Sequence, residues 1–380
     1  MRWPTKTVLG VIGGYTTYAS YLYYLTRREI RTRDEGEVSE QFQSLKIHGR
    51  FENPFREYRP QTIYEFLLMR LIEFSRFEER RGGVPFEWED IRQAVGWTPV
   101  TSERLKLADN ADIGYTWLGQ SCGILHSNGV RFLMDPMLSD FMVDSKFGPR
   151  RIVPSPVKVE EAGEILKPEY VLISHDHPDH LDYTSCASVK SGGSVKKWIV
   201  PLGLGVKLVK KCGVPSDKII ELDWWKSVLL EDDFEIVCLP AMHWSGQHII
   251  DTNASLWCTF MIRKRGKSLF FHGGDTGYVN GLFKMIGEKY GPVKIAAVPI
   301  GQYCPAWHQR PRHVSPSESL KMSIEIGAEK IVGVHWGTFV LSSEEWLEPR
   351  NELLRASKEM NLGKAVVIPT HGGISIYDDR

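Results

Sequence analysis

The segment SHDHPDHLD, at residues 174–182, constrains this chain more than any other stretch of its sequence. It places His175, His177, Asp179 and His180 within six residues, directly after the apolar run YVLIS. A tight loop at the end of a strand brings such side chains together without closing a long loop of chain. Imidazole nitrogens and a carboxylate suit zinc or a similar divalent ion, so the segment predicts a metal site.

Three further residues of the same chemical types follow apolar runs elsewhere in the chain. His243 follows FEIVCLPA, Asp275 follows SLFFHGG and His335 follows KIVGV. If each run is a strand, these side chains lie at strand ends and could share one rim of a sheet. In the first loop, the first two histidines can serve one position, while the aspartate and third histidine serve a neighbouring one. Five histidines and two aspartates are enough for two metal ions bridged by one carboxylate.

From Ile113 onward, short apolar runs are bounded by turn residues. Runs such as VRFLM, YVLIS and KIAAVPI are typical of buried strands, and helical stretches, including 281–289 and 316–327, fall between some of them. Strands mixed with helices favour a layered α/β fold over an all-β barrel. We therefore expect one catalytic domain over residues 112–380.

The first 30 residues form a segment of their own, with an uncharged run of 18 residues from Val8 to Leu25. A helix of that length reaches about 27 Å, just enough to cross the hydrocarbon core of a bilayer. Basic residues flank both ends of the run, and tyrosines crowd one end. We expect residues 1–30 to be a membrane anchor with a single spanning helix, a mitochondrial targeting segment, or both. Gly10 and Gly14 have the Gly-x-x-x-Gly spacing, which would allow a homodimer.

Residues 31–111 are rich in proline and charge around a helical core, and we expect an N-terminal extension of helices and irregular chain. Ile63, Leu67 and Leu71 recur at helical spacing, which predicts an amphipathic helix over residues 62–79. We expect this helix to pack on the main domain, although it could also line an apolar channel or contact lipid.

The charges of the chain balance as a whole but are divided along it. Lys and Arg number 47 and Asp and Glu number 47, a formal net charge of zero. Residues 1–33 hold six basic side chains and one acidic one, so a net charge of +5 there leaves −5 on the other 347 residues. The acidic main body argues against nucleic acid as a partner. The basic start suits an anionic membrane surface or mitochondrial import.

Six cysteines are scattered along the chain, and no two of them form a Cys-x-x-Cys pair. That distribution is not typical of a disulfide framework or of a thiolate zinc site. We expect separate buried thiols in a reducing compartment.

The pattern His-x-His-x-Asp-His, followed at a distance by His243, Asp275 and His335, resembles the metallo-β-lactamase superfamily. The resemblance implies an αββα sandwich with a dinuclear metal site at one edge of its two sheets. The superfamily includes β-lactamases, thioesterases, lactonases, nucleases and phosphodiesterases. The motif therefore indicates the chemistry and leaves the substrate open.

Further segments resemble one family of that superfamily, the N-acyl-phosphatidylethanolamine-hydrolysing phospholipases D. The segments are GRFENPF (49–55), TWLGQS (116–121), FLMDP (132–136), FGPRR (147–151), VPLGL (200–204), ELDWW (221–225), GDTGY (274–278), PIGQY (299–303), HVSP (313–316) and HWGTF (335–339). The similarity extends over roughly residues 49–375 and leaves out the run at the start of the chain. One departure is visible, because the family usually has His where this chain has Gln120.

The resemblance implies an activity and a cofactor. The activity is hydrolysis of N-acyl-phosphatidylethanolamine to N-acylethanolamine and phosphatidic acid, with two Zn²⁺ ions per chain. A phospholipid substrate implies a membrane-associated enzyme, and with the basic start we expect a mitochondrial membrane. The resemblance also implies which residues bind the metal. One zinc would be held by His175, His177 and His243, the second by Asp179, His180 and His335, and Asp275 would bridge them.

Three residues have expected roles beyond binding metal. Asp179 could also accept a proton from water. His313, in the HVSP segment, is the candidate to contact phosphate or to protonate the leaving oxygen, the alternative being a structural histidine in a polar loop. Asp135, directly after VRFLM, is expected to orient a ligand histidine. The remaining histidines are expected to be structural, namely His48, His126, His248, His272, His308 and His371.

Two other functions stay open on the sequence alone. A hydrolase of the same fold could act on another substrate, such as a soluble ester, a lactone or a nucleic acid, but that would leave the run at 8–25 unexplained. A membrane-anchored scaffold could keep the fold without catalysis. The complete set of metal-binding residue types speaks against the scaffold.

Overall fold

The computed structural model describes residues 3–34, 41–75, 88–143 and 149–377. The strands are β1 (Leu45–Ile47), β2 (Arg50–Glu52), β3 (Ile113–Gly119), β4 (Cys122–Ser127), β5 (Val130–Met134), β6 (Tyr170–Leu172), β7 (Lys197–Pro201), β8 (Ile219–Leu222), β9 (Ser227–Leu229), β10 (Phe234–Leu239), β11 (Thr259–Lys264), β12 (Lys267–His272), β13 (Val293–Pro299), β14 (Ala328–Val334), β15 (Val366–Val367) and β16 (Ile374–Tyr377). The helices are α1 (Trp3–Asp34), α2 (Ile63–Ser75), α3 (Trp88–Val95), α4 (Ser102–Asp109), α5 (Ala162–Leu166), α6 (Tyr183–Ser191), α7 (Gly205–Lys207, followed by a π-helical turn at Leu208–Cys212), α8 (Leu282–Tyr290), α9 (Ala306–Gln309), α10 (Pro316–Glu325) and α11 (Glu348–Glu359).

Two seven-stranded mixed sheets form the centre of the fold. The first has the order β16-β3-β4-β5-β6-β7-β8, antiparallel from β16 to β5 and parallel from β5 to β8. The second has the order β15-β14-β13-β12-β11-β10-β9, antiparallel from β9 to β12 and parallel from β12 to β15. Parallel neighbours need long crossovers, which α6, α8 and α10 provide.

The core lies between the two sheets and on their outer faces. Along β5, Phe132 belongs to the core between the sheets, whereas its neighbour Leu133 belongs to the core beneath the outer helices. The rings of Phe132 and Phe234 lie 5.0 Å apart, and those of Tyr115 and Phe270 lie 5.2 Å apart, so each pair joins the two sheets. Helices on both outer faces complete four layers, as predicted for the α/β fold.

The prediction of a single membrane-spanning helix is wrong. Among the residues that the structure describes, no helix combines the length and the apolar character that crossing a bilayer requires. With 32 residues, α1 is long enough. Its uncharged run, however, includes five tyrosines, three glycines and three hydroxyl residues among 18, which lowers its mean hydropathy.

The N-terminal extension runs along the main domain. The backbone N–H of Phe51, in β2, donates to the carbonyl of Asn253 at 2.9 Å. The helix predicted over 62–79 is observed as α2, and residues 76–79 lie outside the described residues. Leu67 and Leu71 are exposed, so the apolar spacing of α2 does not form the packed face that we expected. Helix α1 extends to Asp34, past the end of the first predicted segment at residue 30. The domain boundaries stay a prediction.

The cysteines confirm the absence of a disulfide framework. All six lie in described segments and are free thiols. Five are buried as predicted, and Cys304 is half-buried.

Candidate metal centre

The residues predicted to bind metal lie together at one edge of the two sheets. The loop after β6 carries four of them, and His243, Asp275 and His335 follow β10, β12 and β14. The carboxyl ends of these strands meet where the first sheet faces the second. All seven side chains are buried.

The first group consists of three histidines whose nitrogens face each other within 4.8 Å. His175 Nε2 lies 2.8 Å from His177 Nδ1, and His243 Nε2 lies 3.1 Å from the same atom. Burial lowers the pKa of His177 and of His243 to about 3, although the nearby carboxylates act to raise it. Burial, with the neighbouring imidazoles, also holds the pKa of His175 well below its usual value. The group therefore offers neutral imidazoles, which is the form that binds metal.

The second group combines two carboxylates with two histidines. His335 Nε2 lies 3.2 Å from Asp179 Oδ2 and 3.1 Å from Asp275 Oδ1. Burial alone would lower the pKa of His335, but the Asp275 and Asp179 charges outweigh it and raise that pKa to about 9. The pKa of His180 is raised well above its usual value for the same reason. The two carboxylates therefore favour positive charge on His180 and His335. A divalent cation would supply that positive charge in place of the two histidine protons.

Asp275 belongs to the second group and also faces the first group. Its Oδ2 atom is 3.2 Å from His180 Nε2 on one side and 3.7 Å from His243 Nε2 on the other. The histidines around it hold the pKa of Asp275 well below the ordinary range in spite of its burial. Asp275 is thus an ionised carboxylate that faces both groups.

The residues of the centre fit a divalent metal. Among the described residues, His180 Nε2 and Asp275 Oδ1 are buried without a hydrogen bond of good geometry, although they lie 3.2 Å and 3.1 Å from other potential ligand atoms of the centre. Buried polar atoms are normally paired, so a convergent set without partners indicates a ligand. Nitrogen and carboxylate donors without thiolate are what zinc and similar ions accept.

Asp135, which follows β5, contacts the Nδ1 atom of His180, on the side of the ring opposite the metal centre. Its Oδ2 atom accepts hydrogen bonds from His180 Nδ1 and from His272 Nε2, each at 2.8 Å, and its Oδ1 accepts from the Ser174 N–H at 2.7 Å. A histidine whose Nδ1 donates to a carboxylate has its Nε2 free for a metal. This contact supports the orienting role predicted for Asp135, and it gives His272 a place behind the centre that the sequence did not suggest.

His313 lies in the centre and not in an open polar loop. It is buried, and with His243 and Asp275 it forms a third group of potential ligands. Its ring lies 5.1 Å from the ring of His243 and 5.8 Å from that of His335. Its placement is compatible with contact to a bound phosphate.

Gln120 contacts the second group directly. Its Nε2 donates to Asp179 Oδ2 at 2.8 Å and lies 2.8 Å from His335 Nε2. Its backbone is held as well, because its N–H donates to Thr338 Oγ1 and its carbonyl accepts from Trp117 Nε1. The sequence singled out Gln120 only as a departure from a family pattern. Its position after β3, at the same rim as the other strand ends, was the signal that could have placed it here.

Other contacts could not be inferred from residue type. Asn53, in the N-terminal extension, donates from Nδ2 to the carbonyl of His243 at 2.6 Å. The carbonyl of Arg312 accepts from His243 Nδ1 at 3.0 Å, which leaves Nε2 facing the group. Asp176 sits inside SHDHPDHLD but turns away from the centre, where it accepts from Ser255 Oγ and pairs with Lys207.

Several histidines expected to be structural have partners elsewhere. His126 pairs with Asp109, His308 pairs with Glu65, and His371 contacts Thr338. None of these three belongs to a group of potential metal ligands in the described part of the chain.

Comparison with known proteins gives consistent results. Residues 130–336 match the family described as beta-lactamase superfamily domain. The chain is 39% identical over 394 residues to the N-acyl-phosphatidylethanolamine-hydrolyzing phospholipase D, mitochondrial, of Saccharomyces cerevisiae, covering 91% of this chain and 82% of that one. It is 36% identical over 246 residues to N-acyl-phosphatidylethanolamine-hydrolyzing phospholipase D 1 of Caenorhabditis elegans, covering 63% and 68%. A solved metallo hydrolase from Ignicoccus hospitalis, at 23% identity, superposes with a TM-score of 0.55 over 70% of this chain and 99% of that one, so the two share a fold.

Proposed function

This chain belongs to the N-acyl-phosphatidylethanolamine-hydrolysing phospholipase D family of the β-lactamase superfamily, and we propose that it cleaves N-acyl-phosphatidylethanolamine into N-acylethanolamine and phosphatidic acid. It is a metal-dependent hydrolase. The hydrolytic chemistry rests on the position of Asp275, an ionised carboxylate between two groups of buried residues, and the choice of substrate rests on the 39% identity to the yeast phospholipase.

The metal is proposed to be zinc, with two ions per chain. The first ion would be held by His175, His177 and His243, the second by Asp179, His180 and His335, and Asp275 would bind both. When bound, such ions supply water that is acidic enough to react near neutral pH and positive charge for phosphate oxygens.

The side chains around the centre prepare it for a phosphodiester. Asp179 is proposed to accept a proton from the attacking water, as an ionised carboxylate held by Gln120. His313 is proposed to contact a phosphate oxygen, since its ring faces both His243 and His335. Because Asp135 and the Arg312 carbonyl each hold a ligand imidazole by its far nitrogen, the ligands are oriented before substrate binds.

The location of the protein is also a proposal. The yeast relative is labelled mitochondrial, and residues 1–33 of this chain carry a net charge of +5. We propose association with a mitochondrial membrane. A homodimer and the absence of a nucleic-acid partner stay predictions.

One experiment tests the activity. Purified protein is mixed with vesicles of N-acyl-phosphatidylethanolamine and phosphatidylcholine, and the products are identified by mass. We expect phosphatidic acid and N-acylethanolamine from the natural chain, and neither after chelation or in Asp275→Asn. Asp217→Asn, an exposed aspartate away from the centre, is the matched control and should retain activity. Zinc-loaded protein that leaves both lipids intact would contradict the proposal.

A further inference from the structure

A large apolar surface lies on the first two helices of the chain. Among the described residues, 21 large hydrophobic side chains are exposed, and 11 of them are on α1 and α2, which we call the helix pair. They are Leu9, Val11, Ile12, Tyr18, Tyr21, Tyr23, Tyr24, Tyr64, Leu67, Leu68 and Leu71. Apolar patches of this kind mark sites of interaction more often than bare surface.

The exposed residues of α2 form a regular stripe. Tyr64, Leu67, Leu68 and Leu71 follow the spacing i, i+3, i+4, i+7, which places them on one face of the helix. Their exposed fractions run from 44% to 66%. In a helix packed on its own domain this stripe would be buried, so its exposure indicates a partner outside the fold.

The two helices contribute to one surface because they contact each other. Tyr15 Oη accepts a hydrogen bond from the backbone N–H of Ile63 at 2.8 Å, and the hydroxyls of Thr16 and Tyr64 lie 2.9 Å apart. The rings of Tyr15 and Tyr64 also meet edge to face, with centroids 5.6 Å apart. The middle of α1 is therefore attached to the start of α2.

The helix pair is connected to the metal centre through a short chain of contacts. Glu65 of α2 accepts a hydrogen bond from His308 Nδ1 at 2.7 Å. His308 belongs to α9, and the guanidinium of Arg312 donates to its carbonyl. The carbonyl of Arg312 in turn holds His243. Helix α2 therefore contacts the segment 308–313, which ends at His313 in the metal centre.

Charge favours a lipid surface over a second copy of the chain. Arg28 and Arg31 are exposed on α1, and Arg27 and Arg33 lie on the same helix. Anionic phospholipid headgroups attract such residues, and tyrosines are enriched where apolar chains meet headgroups. Two copies of a segment with a net charge of +5 would repel each other.

We propose that the helix pair docks on the surface of an anionic phospholipid bilayer, with the leucines of α2 among the acyl chains. Amphipathic helices bind membranes in this way through buried apolar area and attraction to anionic lipid. Docking would hold the metal centre beside the layer from which a two-chain substrate must enter. That last step rests on the proposed function, whereas docking itself does not.

The test measures sedimentation of the full chain with vesicles that contain no substrate. We expect weak binding to phosphatidylcholine alone, stronger binding when phosphatidylglycerol is added, and a loss of binding with salt. The double variant Leu67→Asp, Leu71→Asp should weaken binding at least about tenfold, since two leucines leave the lipid. The matched control is Leu107→Asp, Leu229→Asp, two exposed leucines elsewhere, which should bind like the natural chain.

Two further measurements keep the outcomes distinct. Asp275→Asn should bind vesicles like the natural chain, so that failure of the proposed activity and failure of docking are separate results. Thermal unfolding establishes that the leucine variants are folded. Equal vesicle binding by folded Leu67→Asp, Leu71→Asp protein would overturn the proposal. A lipid-free dimer that this variant dissociates, without change in vesicle binding, would assign the surface to a second copy and also overturn it.

Discussion

At the metal centre, ionisable side chains are withdrawn from water, whereas on the helix pair leucines and tyrosines are presented to it. His180 is fully buried, but Leu71 is 66% exposed. Both arrangements cost free energy in an isolated chain, the first through desolvated charge and the second through hydrated apolar surface. We propose for each region a partner that removes this cost, a divalent cation in one case and lipid in the other.

The two regions also differ in how they are held. Every proposed ligand of the centre follows a strand of a central sheet, and Asp135 and Gln120 add hydrogen bonds to His180 and Asp179. The helix pair is joined to the domain mainly by side-chain contacts such as that of Glu65 with His308. A rigid rim suits chemistry that needs fixed ligand positions, and a peripheral pair of helices suits adjustment to a bilayer surface.

Removing the metal is expected to have the largest effect on the metal centre and none on the helix pair. Chelation is expected to lower turnover by at least about 10³-fold, because the charge that stabilises the phosphate transition state is lost. The melting temperature should fall by at least about 5 °C, because a ligand that binds only the folded chain is removed. Vesicle sedimentation should be unchanged. If chelation also abolished vesicle binding, the two regions would not be independent.

Asp135→Asn should weaken the centre without destroying it. The amide cannot hold His180 Nδ1 as the carboxylate does, so affinity for zinc is expected to fall about 10- to 100-fold. Competition with a chromogenic chelator measures the change. Asp109→Asn is the matched control, since Asp109 also pairs with a buried histidine, His126, but away from the centre. Equal loss of zinc affinity in both variants would mean that general destabilisation is responsible.

Leu67→Asp, Leu71→Asp should affect turnover only where substrate is in a bilayer. We expect about tenfold slower hydrolysis of substrate in vesicles, because less enzyme is bound to them. The deficit should shrink when the same lipid is dispersed in detergent micelles. Initial rates on the two substrate forms give the ratio, with Leu107→Asp, Leu229→Asp for comparison. A deficit of the same size on micelles would show that these leucines act within the centre itself.

Arg31→Gln should produce a smaller and purely electrostatic effect. One basic residue near an anionic membrane is worth about 1 kcal/mol, so binding to vesicles with phosphatidylglycerol should fall about fivefold. Binding to phosphatidylcholine alone should not change. Lys226→Gln removes an exposed charge outside the helix pair and is the control. An equal effect from Lys226→Gln would point to net charge instead of this surface.

In the metal-free chain, stability should depend on pH with a maximum near pH 6.5, the ordinary histidine pKa. The pKa of His177 and of His243 falls to about 3 from 6.5 in the folded chain, so their contribution is lost as pH drops below 6.5. The pKa of His335 rises from 6.5 to about 9, so its contribution is lost between those two pH values and is absent above pH 9. Melting temperatures from pH 5 to 10 should show shifts of about a few °C. With zinc bound, the decline above pH 6.5 should disappear, because a metal-bound His335 holds no proton, and the decline below pH 6.5 should become steeper, because protons compete with zinc. A decline from pH 6.5 to pH 9 that persists with zinc would contradict zinc binding by His335.

Sequence patterns predicted the centre better than the N-terminal region. A loop with three histidines and an aspartate has few structural uses other than binding metal, and its position after a strand is a local property. The length of an uncharged run is a weaker guide, because tyrosine, glycine and threonine in α1 leave it uncharged without making it apolar enough. The spacing of Leu67 and Leu71 correctly indicated a helix, but not whether its apolar face would be covered.

The sequence by itself determined the donor types, the loop that carries four of them, the layered α/β class and the resemblance to one hydrolase family. Only the tertiary structure decided that Asp275 lies between the two groups, that Gln120 contacts Asp179, and that Asn53 supports His243. The physical reason is that ligand chemistry and loop position are local properties. The pairing of strands far apart in the chain depends on how two whole sheets pack, which no single segment encodes.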